Sequence, residues 1–167
     1  MYPSCCNGLS CCLADCGRSY ISLMATDKNM KKRLSLTSDT TLAPLVSPRH
    51  IIATSPSSIL VCDHGKKAAI HISCDGKILF TYTGQGNQRL TRPEGLCMDG
   101  HGHVFITDSS DHSVSVITKT GQLFSKTGSQ QSELNCPQAV CMDRNSCLYV
   151  ANYGGKQLTI FDIIQEG

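Results

Sequence analysis

The apolar positions of this chain come in short runs cut by turn residues. The stretch from Pro93 to Gly128 shows it best: Gly95-Leu-Cys-Met98, Val104-Phe-Ile-Thr107, Val114-Ser-Val-Ile117 and Leu123-Phe-Ser-Lys126. Between them stand Asp99-Gly100, His101-Gly102, Ser109 to His112 and Thr120-Gly121. Runs this short with tight connections predict four β-strands in a meander. The pattern recurs on both sides. Pro48, Pro93 and Pro137 stand 45 and 44 residues apart, as do Asp63, Asp108 and Asn152. Gly76 and Gly121 are 45 apart, and Gly84 and Gly128 are 44 apart.

Four strands repeated at about 40–45 residues are the signature of a β-propeller blade. The register is clear from Pro48. Ile59-Leu-Val-Cys62 reads as a strand covered on both faces, Ala69-Ile-His-Ile72 alternates, and Asp75-Gly76 supplies a hairpin turn. Upstream, Tyr20 to Asp27 parallels Val104 to Asp108, and Leu34-Ser-Leu36 parallels Val114 to Val116, which predicts a worn copy of the unit. The organisation expected is therefore a poorly defined Cys-rich start over 1–19, a degenerate blade over 20–47, blades over 48–92 and 93–136, and an incomplete blade over 137–167. The fold class is all-β, a β-propeller fragment of about three to four four-stranded blades. A ring closes by pairing its last strand with its first blade, so these units predict an open arc, with self-association through open blade edges.

Composition narrows the functions. The chain has 167 residues, 40% hydrophobic and 5% aromatic with no Trp, so small aliphatic side chains build the core. The net charge of +2 is too mild to imply nucleic acid by itself. No window approaches the length of an apolar membrane span, so no membrane association is expected. The start, Met-Tyr-Pro-Ser-Cys-Cys, lacks a basic segment and an apolar core, and no Asn-x-Ser/Thr sequon occurs, which together predict a cytoplasmic protein. Eleven cysteines then read as free thiols, with Cys62, Cys97 and Cys141 as small buried hydrophobes in strands. Cys5, Cys6, Cys11, Cys12 and Cys16 invite a zinc reading, but no C-x2-C pair exists and no His lies among them, so no metal site is expected. Lys31-Lys32-Arg33 reads as a solvated turn.

The markers Pro93-Glu-Gly-Leu-Cys-Met-Asp99 and Pro137-Gln-Ala-Val-Cys-Met-Asp143, each followed by a strand ending at Asp108 or Asn152, resemble the NHL repeat. The likeness covers residues 48–163 well. It is most similar to the C-terminal propeller of the tripartite-motif ubiquitin ligases of the NHL-bearing group. Such ligases transfer ubiquitin through a RING, with B-boxes and a coiled coil, and their propeller is the end that holds substrate or RNA. This chain has no C-x2-C and no heptad run, so the resemblance implies the binding end without the catalyst.

The expected function is a non-catalytic binding module for a protein partner, linked to substrate recognition in ubiquitination. The alternatives are an RNA-binding propeller face and a remnant of a metal-dependent six-bladed hydrolase or lyase. Binding is expected on the loops between second and third strands and on the inter-blade connections: 64–67, 89–92, 109–112, 130–135 and 153–156. Lys66, Lys67, Arg89, Arg92 and Lys156 make that face basic against Asp111 and Glu133, and His112 and Tyr153 offer rings for stacking. No catalytic residue and no cofactor are expected. Glu94, Asp99, Asp108 and Asp143 tempt toward a metal, but Asp99 and Asp143 share one repeat position, as do Asp108 and Asn152, and a residue set by the repeat reads as a local backbone cap. Gly84-Gln-Gly86 reads as an inter-blade loop.

Overall fold

The computed structural model describes residues 11–15, 20–24, 33–36, 45–73, 76–127 and 133–163. Among them every regular element is a β-strand. Strands β1 (Cys11–Asp15), β2 (Tyr20–Met24) and β3 (Arg33–Leu36) form one antiparallel sheet. A four-stranded meander follows, with β4 (Pro48–Ser55), β5 (Ser58–Asp63), β6 (Ala68–Ser73) and β7 (Ile78–Tyr82) in chain order. A small hairpin, β8 (Gly84–Gln85) with β9 (Gln88–Arg89), lies in the connection that the sequence presents as a plain loop. The next meander holds β10 (Pro93–Met98), β11 (Val104–Asp108), β12 (Ser113–Ile117) and β13 (Leu123–Lys126). The last described sheet is β14 (Pro137–Met142), β15 (Cys147–Asn152) and β16 (Gln157–Asp162). Of Cys11 and Cys12 only the strand backbone is described. Cys5, Cys6, Cys16, Lys31, Lys32, Asp75, Gly128 and residues 130–132 lie outside the described residues.

The chain divides into two compact units, Met1–Thr81 and Tyr82–Gly167. In the first, the core gathers Leu45, Ile51, Ile59, Val61, Ala68, Ile70 and Ile72, with Ile78 packed against it. In the second, β10 and β11 pack against β14. The layer between those two sheets is Cys97, Phe105 and Val114 from one side and Val140, Leu148 and Val150 from the other, with Leu134. Each such aliphatic side chain contributes about 1.5–3 kcal/mol on burial. The sheets approach closely at Gly95: a Cβ there would come within 2.6 Å of the Gln138 carbonyl and 3.0 Å of Thr107 Oγ1.

The sequence period is also a period in backbone conformation. The loops joining second to third strands have four residues each, closed by the pairs Asp63–Ala68, Asp108–Ser113 and Asn152–Gln157. Each loop ends on a left-handed residue that is not glycine: Lys67 at φ 53°, His112 at 49° and Lys156 at 48°. Gly76 and Gly121, at φ 91° and 82°, hold equivalent turns between third and fourth strands. A left-handed residue other than glycine costs about 1–2 kcal/mol, so something must hold these loops in shape.

That something is the side chain closing each second strand. Asp63 and Asp108 are fully buried and Asn152 is nearly so. Asp63 accepts the backbone N–H groups of Val46 (2.8 Å), Ser47 (2.9 Å) and Lys66 (3.0 Å). Asp108 accepts those of Thr91 (2.6 Å), Arg92 (3.0 Å), Ser110 (3.2 Å) and Asp111 (3.2 Å), and the Thr91 hydroxyl at 2.8 Å. Each carboxylate thus ties the segment entering its meander to the loop that follows it. The capping role expected of Asp108 is the one seen.

The expectation for the strand cysteines needs one correction. Cys62 and Cys97 are buried, but Cys141 is exposed. Cys97 faces the neighbouring sheet β14–β16, whereas the equivalent face of β14 has no sheet packed on it among the described residues of its unit. Burial moreover pushes the Cys97 thiol up to about 12, with Cys141 and Asp99 nearby adding to it.

Replacing Asp108 by Ala leaves four backbone N–H groups and a hydroxyl without their acceptor, so urea unfolding is expected to show a loss of about 3 kcal/mol or more. Asp108→Asn, which keeps one acceptor oxygen, is expected to lose less. Equal stability of Asp108→Ala and the parent chain would contradict the capping account.

Candidate functional site

The expected binding residues fall into both units. Lys66 and Lys67 occupy the β5–β6 loop of the first, where Lys67 is exposed and the Lys66 amide is bonded to Asp63. The other five belong to the second unit, where hydrogen bonds bring Arg92, His112, Tyr153 and Lys156 to one rim, with Arg89 on β9 three residues before Arg92. The amide of Ser109, opening the β11–β12 loop, donates to the Arg92 carbonyl at 3.0 Å. The amide of Tyr153, opening the β15–β16 loop, donates to the Cys136 carbonyl at 3.0 Å, and Gly154 N–H donates to Asn135. His64 N–H donates to the Ser47 carbonyl at 2.9 Å, the same bond in the first unit. Each loop therefore leans on the residue before its own first strand.

One link departs from the repeat, and its cause is visible. Ser47 and Arg92 give their amides to the aspartate of their own meander. Their counterpart Cys136 faces Asn152, whose single acceptor oxygen is taken by Asn135 N–H at 3.0 Å. The amide nitrogen of Asn152 instead donates to Thr159 Oγ1 at 2.8 Å. Cys136 N–H turns to His112 Nδ1 at 2.9 Å, across from the neighbouring sheet. Accepting at Nδ1 sets the neutral ring in its Nε2–H tautomer. His112 is thus a tie between the β11–β12 loop and the entry to β14, a role the sequence does not announce. The signal was the exchange of Asp for Asn at position 152.

The electrostatics of the rim are set by which charges are already paired. Asp111 receives Lys126 Nζ at 2.7 Å, and its other bond comes from the Ser113 hydroxyl at 2.8 Å. Burial alone would raise the Asp111 carboxyl, but the Lys126 and Ser113 hydrogen bonds and the Lys126 charge hold it below the usual carboxylate range. Arg92 Nε meets Glu94 at 2.9 Å while half its side chain stays exposed. Arg89 and Lys156 are exposed, and Tyr153 is 72% exposed. Glu133, on the same approach, is exposed too, and its carbonyl accepts from Gln157.

The other repeated aspartates are local caps as well. Asp99 accepts the His101 and His103 amides and meets the His103 ring at 2.8 Å. Asp143 accepts the amides of Asn145 and Cys147 and the Tyr149 hydroxyl. Among the described residues no group of three or more His, Cys, Asp or Glu side chains stands together to ligate a metal ion.

A family model described as the NHL repeat matches residues 90–117, the stretch from the Asp108-capped entry to the end of β12. Among the curated proteins none matches the sequence. Solved structures are similar throughout most of the chain. A catalytically inactive virginiamycin B lyase from Staphylococcus aureus, crystallised with quinupristin, superposes with a TM-score of 0.69 at 13% identity, covering 92% of this chain and 52% of its own. The WD40 β-propeller domain of Doa1 gives 0.69 at 15% identity, covering 94% and 47%. A nidogen/laminin complex gives 0.65 at 21% identity, covering 90% and 54%. The fold is that of a β-propeller, and the chain spans about half the length of these structures.

Two outcomes follow. In a double-mutant cycle, His112→Ala is expected to destabilise the parent chain by about 1 kcal/mol or more, and less in an Asn152→Asp background, where a second carboxylate oxygen takes the Cys136 amide. Additive effects in the cycle would contradict the tie. At Asp99 burial alone would raise the carboxyl, but the His103 ring and the His103 and His101 amides outweigh it and hold it low. Asp99 and Asp111 both titrate lower folded than unfolded. The stability they give is complete above the unfolded value near pH ~4 and is lost as pH falls through the folded one. Urea midpoints are expected to fall below pH ~4, with a shallower fall in Asp99→Asn.

Proposed function

We propose that the chain is a non-catalytic binding module, and that the rim of its second unit docks an acidic segment of a protein partner. The observation that carries this reading is the asymmetry of pairing on the rim. Of its nearby acids, Asp108 is engaged by backbone amides, Asp111 by Lys126 and Glu94 by Arg92, which leaves Glu133 as the one exposed carboxylate among the described residues of the approach. Lys156 remains exposed in the same loop as the exposed Tyr153 ring, and Arg89 is exposed on β9, three residues before Arg92. A cationic rim with an aromatic platform suits a carboxylate-bearing peptide, since charge steers the encounter and the ring supplies area at low entropy cost. Propellers with NHL or WD40 repeats serve as protein-binding platforms, in keeping with the family match and the Doa1 likeness. In the tripartite-motif ligases that the sequence resembles, the propeller is the end that holds the substrate. We carry over that role, capture of a protein for ubiquitination by a separate catalyst. His112 acts here by positioning the loops.

The test is binding of a fluorescent poly-glutamate peptide and of a single-stranded RNA of equal length to the parent chain and to Arg89→Glu, Arg92→Glu and Lys156→Glu, singly and together. The triple variant is expected to lose the peptide at least tenfold, about 1.4 kcal/mol. Unchanged peptide affinity in the triple variant would remove this rim from consideration. Tighter binding of RNA, weakening steeply with salt as phosphate contacts do, would replace the protein partner by RNA. Metal analysis of the purified chain addresses the lyase-like alternative, which requires a stoichiometric ion.

A further inference from the structure

The sheet β14–β16 carries an apolar face whose counterpart one repeat earlier is covered. On β10–β12 the covered face is Gly95, Cys97, Phe105, Thr107, Val114 and Val116, all buried except the half-buried Val116. Forty-four residues later the same positions are Ala139, Cys141, Tyr149, Ala151, Leu158 and Ile160. Register confirms that they share a face: Cys141 pairs with Tyr149 and Ala139 with Ala151 on one side of β15, and Tyr149 with Ile160 and Ala151 with Leu158 on the other. Here, however, Leu158 is 58% and Ile160 55% exposed, and Ala139 and Cys141 are exposed as well. Scattered surface apolar residues are ordinary, but a contiguous face built to a pattern that is elsewhere covered is not.

We infer that this face is a self-association surface, occupied by the same face of a second copy of the chain. The neighbouring sheets show what such a face accepts, namely the flat aliphatic side of another twisted sheet. The face is self-complementary in kind, with no charged side chain among its six positions. Its ends choose the orientation. Asp143 and Asp162 lie at one end with Arg144, and Lys156 at the other with Glu133 behind it. Stacking like ends would lay β16 over β14 and set Asp162 against Asp143, whereas a two-fold axis across the strands sets Lys156 of each copy over Asp162 of the other. The same axis places Cys141 of each copy opposite Ala139 of the other.

Size sets the strength. Three strands roughly 4.8 Å apart and six residues long at roughly 3.3 Å each offer a face of about 14 by 20 Å. That is well under the roughly 800 Å² per partner of a stable interface. A concentration-dependent dimer follows, not a permanent one.

Sedimentation velocity from about 5 to 500 µM decides it, a span chosen for an interface of this class. The parent chain is expected to shift from monomer toward dimer across the series. Ile160→Glu and Leu158→Glu, both at exposed positions, are expected to stay monomeric with unchanged urea midpoints. Phe124→Glu, equally exposed but on β13, is expected to dimerise like the parent. A parent chain that stays monomeric throughout overturns the inference. So does a dimer that survives Ile160→Glu, or one that Phe124→Glu also abolishes.

Discussion

A buried side chain at the end of the second strand of each meander holds this molecule together. Asp63 and Asp108 accept backbone N–H groups from two directions, the segment that enters the meander and the loop after the second strand. A buried N–H left unmade costs about 1–3 kcal/mol, so the carboxylate sets the loop geometry rather than decorating it. It lets Lys67 and His112 sit in left-handed conformations that open loops would abandon. It also fixes where the rim side chains are displayed, which links the fold to the binding role.

The third meander shows what happens when the device is weakened by one atom. Asn152 offers one acceptor oxygen where aspartate offers two, and the freed amide of Cys136 is taken by His112. The loss is repaired from the adjacent sheet, so the rim of the second unit is cross-tied where the repeat alone would leave its parts independent. A ring that looks available for stacking is thereby held in place, and the display of charge passes to Arg89, Lys156 and the partly exposed Arg92.

Much of this was legible in the residues, because strands and turns are local. The β-runs, the glycine turns at Gly76 and Gly121, and the caps at Asp99 and Asp108 all follow from short-range chemistry repeated at a fixed spacing. What stayed hidden depends on neighbours distant in sequence. Cys97 and Cys141 occupy one repeat position in nearly identical words, Leu-Cys-Met-Asp and Val-Cys-Met-Asp. One is buried and the other exposed, because among the described residues of their unit only the first has a sheet packed on its face. The His112 tie was hidden for the same reason, and the β8–β9 hairpin because two-residue strands leave no periodicity to read. On the rim, the residue types were readable, but their pairing with Glu94 and Lys126 was not.

The central claim concerns amides in loops, and amide hydrogen exchange followed by NMR measures them one by one. The account predicts that the amides of Val46, Ser47, Thr91, Arg92, Asn135 and Cys136, all outside strands, exchange as slowly as the interior amides of β5 and β11. Exchange of these six at the rate of the exposed turn amides at Gly86 and Gly100 would contradict it.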